Sequence, residues 1–373
     1  MKRGFAAASA FIVVVLACLA GSCTVGKLDL PHRADFSDTA LLVWDLAEPR
    51  IDGAPDYYEL VSAVVADFEK LHGIEVEVRI VSRQEVEDLL TGESAEEKPD
   101  LVCTGEWPFI PEGAASLSPY VSSDSYIDIA ARYWETEAGL AAIPAYVHWT
   151  GTGHREEGAG VSYIWDSPAF MAALSRSSKP LRDADYVMEL LQAVRSEWGE
   201  ARSDPLASYL NGSARSLFPL TPSMYRRISA GEAGVSMGPV DGPVGDQYYF
   251  YTVPAYVVLA EDPETIAGAA ELGKRLAANL GRWAARALSC MPALIEDISV
   301  FNLESGLDYA QRATLIGSFS DLGLTAPSVA EYCERVAQDQ AMREVIGDYL
   351  SGRLSAEEAL QGIRETLARH TKP

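Results

Sequence analysis

The chain has 373 residues, 48% of them hydrophobic, and a formal charge of −24. That length suits about two domains with a sizeable core. So acidic a body is unsuited to gripping a phosphate backbone, which needs clustered Lys and Arg, and nucleic acid is excluded as a partner; the acid reads as solubilising surface charge.

The N-terminus comes first. Lys2 and Arg3 precede GFAAASAFIVVVLACLAGS, and no further charge occurs until Lys27. A basic start followed by an apolar run is the build of an export signal. The run ends in LAGSC, with small residues before Cys23, and is similar to a bacterial lipoprotein signal in which the Cys23 thiol is lipidated. The usual leucine three places before that cysteine is here Ala20, and VLAC, ending at Cys18, is a second processing site. An uncleaved anchor helix is the competing reading, since roughly 20 apolar residues span a bilayer. On the lipoprotein reading, 1–22 is signal peptide, 23–37 is tether, and the protein is exported and held at the outer or periplasmic face of the cell membrane. Cys103, Cys290 and Cys333 remain, an odd number spaced too widely for a CxxC site. They read as small buried residues, with one disulfide open to an exported chain.

In chain order, TALLVWDL (39–46) predicts a strand. PDYYELVSAVVADFEKLHG follows with Tyr57, Leu60, Val61, Val64, Val65 and Phe68 at helical spacing and Gly73 as the stop. Phe68 and Leu71 are expected to pack this helix onto the sheet. IEVEVRIV alternates with period two, and SRQEVEDLLTG opens with a capping box of Ser82 and Glu85. KPDLVCTG predicts a third strand. This β-α-β-α-β order argues for a mainly parallel sheet between helices. Further on, FMAALSRS and ADYVMELLQAVRSEWGE predict helices, and YRRISAGEAGVSMGP a helix end, a turn and a short strand. YYFYTVPAYVVLA predicts one strand, EDPETIAGAAELGKRLAANLG a helix, and the tail from Ser328 is nearly all helical.

Several chemical motifs fail on context. GVSMG matches the G-x-S-x-G frame of a nucleophile elbow, but Gly238, Pro239, Gly242 and Pro243 forbid the helix that must follow Ser236. His148 and His154 stand six apart around GTG, without the helical spacing or Cys and Asp partners of a metal site. WTGTGH has neither a Walker frame nor a dinucleotide fingerprint. No cofactor, metal or catalytic residue is assigned.

Taken together, the strand ending Trp44–Asp45, the stretch FEKLHGIEVEV, the helix EVEDLLTG, PDLV, PEGAASLSPYV, ISAGEAGVSMGP, TVPAYVVLAEDPETIAGAAELGKRL and YLSGRLSAEEAL resemble, in order, the extracellular solute-binding proteins of bacterial ABC importers, carbohydrate type. The resemblance covers about 39–367. It departs in the central region, which is short; YIWDSPAFMAAL (163–174) stands where the family has a Pro-x-Thr-Trp helix. It implies an α/β, two-lobe periplasmic-binding-protein fold, each lobe a mainly parallel sheet flanked by helices, joined by a hinge. The lobes are expected at 38–147 plus 250–292 and at 148–249 plus 293–373. It implies a monomer that is not an enzyme, binds a small solute, most simply a sugar or oligosaccharide, between the lobes, and hands it to a permease.

Open α/β sheets bind ligands beyond the carboxyl ends of their strands. That rule selects Trp44, Asp45 and Glu48 after the first strand, Glu106 and Trp107 after the third, Trp149 with Tyr146 and His148 near the first crossing, Trp165 in the second lobe, and Asp241 and Tyr248 with Tyr249 near the second crossing. Flat indoles suit the apolar faces of a pyranose, and carboxylates accept from its hydroxyls. Trp134, Trp198 and Trp283 are expected to be packing residues. Two other readings stand beside this one: a ligand-free or sensory accessory lipoprotein on the same fold, and an exported glycoside hydrolase, which would need two carboxylates at a fixed separation.

Overall fold

A computed structural model of the chain describes residues 40–46, 57–82, 85–86, 98–105, 113–156, 159–165, 170, 183–199, 201–229, 235–238, 240–241, 247–248, 250–318 and 339–370. Strand β1 (Ala40–Leu46) is buried in all but its first residue, as an apolar run covered on both faces must be. Helix α1 (Tyr57–His72) buries Tyr57, Val61, Val64, Val65 and Phe68 along one stripe. Leu71 does not share that stripe: it is 52% exposed, which corrects the expectation that it packs beside Phe68. The helix stops at Gly73, whose φ of 72° belongs to the left-handed region and whose N–H returns to the Glu69 carbonyl. Strand β2 (Glu75–Val81) is only half covered, and Ile80 is exposed. Ser82 and Glu85 form the expected capping box: Ser82 N–H donates to Glu85 Oε2, and Glu85 N–H donates to Ser82 Oγ.

Strand β3 (Leu101–Cys103) precedes α2 (Asp128–Trp134), the hairpin β4 (Glu135–Thr136) and β5 (Gly139–Leu140), β6 (Ile143–Pro144) and the nine-residue β7 (Tyr146–His154). Then come β8 (Val161–Tyr163), α3 (Ala184–Trp198), α4 (Pro205–Leu210), β9 (Ser216–Leu220) and α5 (Pro222–Ser229). Asp183 and Asp204 cap α3 and α4 by accepting from backbone N–H groups in the first turn. Short strands follow: β10 (Ser236–Gly238), β11 (Val240–Asp241), β12 (Gln247–Tyr248), β13 (Phe250–Thr252) and β14 (Ala255–Val258). The chain continues through α6 (Pro263–Leu288), β15 (Met291–Pro292), α7 (Ile298–Glu304), α8 (Tyr309–Ser318), α9 (Gln340–Leu350) and α10 (Ala356–His370). FMAALSRS lies outside the described residues but for Phe170, and most of EVEDLLTG and the tail between 319 and 338 are outside them too.

Two sheets organise these elements. The first has the order β2-β1-β3-β14-β6; β1 is parallel to β2 and β3, while β14 is antiparallel to β3 and β6. The second has the order β10-β7-β9-β8, and in it only β8 and β9 pair in parallel. The expectation of a mainly parallel sheet in each lobe therefore gives way in the second lobe. Its antiparallel pairs, β7 with β9 and β7 with β10, join strands far apart in the chain, so no local pattern sets their direction.

Helix α6 packs on β14, β6 and α1. Its approach is set by small residues. A Cβ on Gly281 would stand 2.5 Å from the backbone oxygen of Ala145, so only glycine allows this contact. The second sheet has its own core, in which Tyr163, Phe170 and Phe218 meet Val187, Leu191 and Val194 of α3 and Met342, Ile346, Tyr349, Ile363 and Leu367 of the C-terminal helices.

Strand β7 is the common strand of the second sheet, which β13 and β15 also join. Tyr146 and Val147 pair with β15, residues His148–Thr150 pair with β13, and the remainder pairs with β9 and β10 of the second sheet. The segment YYFYTVPAYVVLA, which reads as one strand, is two. β13 runs along β7, and after Val253 and Pro254 β14 enters the first sheet. Two antiparallel strands thus carry the chain between the sheets. Helix α7 packs on α6 and β15.

Candidate ligand-binding site

Parallel strands β1 and β3 end side by side, with Asp45 in register with Cys103. Their carboxyl ends are pinned by side chains. Asp45 is 1% exposed and its Oδ2 accepts the Tyr57 hydroxyl at 2.5 Å. Thr104 follows β3; its N–H donates to the Ala255 carbonyl, and its Oγ1 accepts the Ala255 N–H while donating to the Gly105 carbonyl. This locks the end of β3 to the start of β14, where the return crossing enters the first sheet.

Trp44, just before Asp45, is fully buried, and its indole Nε1 has no hydrogen-bond partner among the described residues. No face of this ring is open to a ligand in this conformation. The expectation of a sugar platform at Trp44, and of a free carboxylate at Asp45, gives way here to packing and anchoring. Trp149 is likewise fully buried, edge-on to Phe301 of α7 at 6.3 Å between ring centres. It sits opposite Tyr251 across the β7–β13 ladder, and the Tyr251 ring lies 5.6 Å from that of Tyr133. Burial pushes both phenols well above their ordinary pKa, in Tyr133 with a smaller push from Tyr251, so both stay neutral. Trp149 is thus a hinge-packing residue in this conformation. Tyr146 and His148 are buried on the same strand.

Trp165 is half-buried against the second core and covers Gly347 of α9, where a Cβ would stand 2.5 Å from its Cζ2. Asp241 and Tyr248 lie on the β11–β12 ladder, in which Asp241 pairs with Gln247 and Val240 with Tyr248. Glu48, Glu106, Trp107 and Tyr249 lie outside the described residues. The fold brings Trp44 and Asp45 to the end of β1 beside β3, Asp241 and Tyr248 to one ladder, and Trp149 to the crossing. Trp134, Trp198 and Trp283 pack as anticipated: Trp134 donates its indole N–H to the Val253 carbonyl, Trp198 leans on Tyr163 and Phe218, and Trp283 meets the Tyr57 ring edge-on.

Tyr57, Thr104, Tyr133, Tyr251 and Phe301 shape this region and were not singled out from the sequence. Only Tyr57 carried a local signal, as the first residue of an apolar helical stripe. A separate depression of about 460 Å³ lies between residues 118–123 and the β4–β5 hairpin, lined by Tyr120, Glu135 and several serines; it includes none of the residues selected above. Among the described residues no three His, Cys, Asp or Glu side chains are grouped to hold a metal, and no helix is long and apolar enough to cross a membrane.

No protein-family model matches the chain, and no curated protein matches its sequence. Solved structures do match its fold. A putative binding protein of Bacillus subtilis in an open conformation aligns at a TM-score of 0.64 and 14% identity, covering 90% of this chain and 98% of that one. An ABC substrate-binding protein of Listeria monocytogenes in complex with cycloalternan aligns at 0.61 and 13% identity, covering 89% and 98%. The sugar-binding protein MalE of Xanthomonas citri aligns at 0.61 and 19% identity, again covering 89% and 98%. The chain has the two-lobe fold of these proteins.

Proposed function

We propose that this chain is the membrane-tethered, extracytoplasmic solute-binding component of an ABC importer, and that it closes two lobes on a sugar or oligosaccharide and presents the closed form to a permease. The observation that carries this reading is the two-sheet α/β body, whose fold is similar along about nine-tenths of its length to that of proteins described as bound to cycloalternan or as sugar-binding. The lobes are 38–147 plus 250–292, and 148–249 plus 293–373. Lipidated Cys23 and the 23–37 tether hold the protein at the membrane, and it acts as a monomer that changes no covalent bond in its ligand.

Ligand contacts come from groups beyond the pinned strand ends: Glu48 after β1, Glu106 and Trp107 after β3, Asp241 and Tyr248 on the second crossing, and the open part of Trp165. Trp44, Asp45 and Trp149 form the floor that holds them. An indole on a pyranose face and carboxylates on its hydroxyls supply the two kinds of contact a sugar needs. Closure buries these groups around the ligand, so binding selects the closed form.

The test is thermal unfolding of the purified protein against a panel of mono-, oligo- and polyhydroxy compounds. A ligand at 100 times its Kd stabilises by about 2.7 kcal/mol, which lifts the midpoint clearly. A flat response to the whole panel would overturn the carrier reading. It would favour a ligand-free accessory lipoprotein on the same fold, a reading supported by three expected ligand groups being already packed away. Slow hydrolysis of a chromogenic glycoside, lost on replacing one acid, would instead indicate a hydrolase.

A further inference from the structure

Helix α5 follows β9 of the second sheet and touches β7, β10 and α6. Its Arg226 reaches into the other half of the molecule. Nη1 donates to the Arg286 carbonyl at 2.9 Å and to the Ser305 carbonyl at 3.2 Å, and Nη2 donates to the Ala287 carbonyl at 3.2 Å. Arg286 and Ala287 are in the last turn of α6, and Ser305 is the residue at which α7 ends. These carbonyls belong to the turns whose acceptors have no intrahelical donor, and they form the negative ends of their helix dipoles. One guanidinium thus caps two helix C-termini.

The surroundings are shaped for it. Ser289, with φ of 56°, ends α6 and donates its hydroxyl to the same Ser305 carbonyl at 2.7 Å. Gly306, with φ of 71°, follows; a Cβ there would stand 2.7 Å from Arg226 Cδ. The neighbouring Tyr225 hydroxyl meets the Gln311 side chain of α8, so α5 also holds the start of that helix. Helix α7 packs on α6, whereas α8 touches β10 of the second sheet. The turn at 305–308 therefore passes from a helix packed on α6, in the first lobe, to one that touches the second sheet.

We propose that Arg226 is a hinge brace: a positioning residue that touches no ligand, fixes the angle between the lobes, and so sets the equilibrium between open and closed forms. Its bearing on affinity rests on the solute-binding reading above; its bearing on lobe geometry does not. A guanidinium held by three carbonyls resists rotation of α5 about the ends of α6 and α7. Without it, the lobes sample a wider range of angles, and apparent affinity changes with the populated fraction of the competent form.

The experiment measures interlobe distances by pulsed electron spin resonance on the full chain in detergent, without ligand. Nitroxide labels are placed at exposed positions by Asp67→Cys on α1 and Glu357→Cys on α10, with Cys18→Ser, Cys23→Ser and Cys333→Ser to limit labelling to these sites, Cys103 and Cys290 being buried. Arg226→Met keeps the aliphatic stem and removes the fork; it is expected to at least double the width of the distance distribution. Arg226→Lys, a single ammonium that cannot serve three carbonyls at once, is expected to fall between Met and Arg. An unchanged distribution in Arg226→Met overturns the brace. If that variant fails to fold, Arg226→Lys decides: a parental distribution overturns the proposal and a broadened one supports it. If a sugar from the panel binds, Arg226→Met shifts its Kd several-fold. If none binds, the distances still decide the brace, while the solute-binding reading falls on its own test.

Discussion

Tyr57 donates its hydroxyl to Oδ2 of Asp45 at 2.5 Å, tying the first turn of α1 to the carboxyl end of β1. The same Tyr57 ring meets Trp283 of α6 edge-on at 5.5 Å, so one side chain links a strand end and two helices. Tyr57→Phe keeps the ring and removes the donor to a buried carboxylate. The expected loss is about 1–3 kcal/mol, read as a lower urea midpoint at unchanged slope. An unchanged midpoint would show that this hydrogen bond does not anchor the strand end.

Trp149 and Trp107 are expected to separate stability from affinity. Trp149→Ala opens a cavity beside Phe301 at the crossing and should cost about 3–5 kcal/mol, measured by chemical unfolding. Trp107→Ala should leave the unfolding midpoint of the free protein nearly unchanged. It should weaken binding of whichever sugar the thermal panel identifies about tenfold or more, measured by calorimetry. Equal loss of stability in both variants would remove Trp107 from the proposed contacts.

Gly281 and Gly268 lie on one helix and have opposite prospects. Gly281→Ala drives a methyl to 2.5 Å from the Ala145 oxygen, a backbone atom that cannot step aside, and should cost about 1–3 kcal/mol. Gly268→Ala meets nothing nearer than 3.6 Å and should gain up to about 1 kcal/mol from helix propensity. Thermal midpoints of the two variants, measured together, should move in opposite directions.

Glu271 supplies a pH test. Burial raises its pKa, but hydrogen bonds and charge from Lys274, at 2.7 Å, and Arg275, at 3.1 Å, outweigh burial and hold the carboxyl below its usual range. A depressed folded-state pKa adds stability that is fully present above the unfolded value, about 4.3, and is lost as pH falls through the folded value. Glu271→Gln should therefore destabilise at pH 7, and its deficit against the parent should shrink on acidification below pH 4. Urea midpoints across that range measure it; a constant deficit would mean that the carboxylate charge contributes nothing there.

Much of the fold is legible in short stretches. The Tyr57–Phe68 stripe, the buried run of β1 and the Ser82–Glu85 box each hold their pattern within a few turns of chain, and each forms where the pattern puts it. Leu71 marks the limit of such reading. It stands three residues from Phe68, yet it faces solvent, because the stripe is narrower at the helix end than spacing alone implies. The site is less legible. Trp44 and Trp149 have the side chains a sugar platform needs, but an indole serves a core equally well. What covers them, such as Phe301 on Trp149, comes from segments far along the chain.

The amino-acid order determined by itself the run of elements from β1 to β3 and the acidic charge, because these follow from local period, caps and composition, while the two-lobe plan followed from resemblance to a family. Tertiary structure alone decided that the second sheet is chiefly antiparallel among its described pairs, that YYFYTVPAYVVLA divides between the hinge ladder and the first sheet, and that Arg226 ends on three carbonyls of distant helices. The physical reason is range. A periodic pattern states which face of an element is apolar; which partner covers that face, and which polar group it leaves to be satisfied, depends on the simultaneous packing of segments that local sequence does not connect.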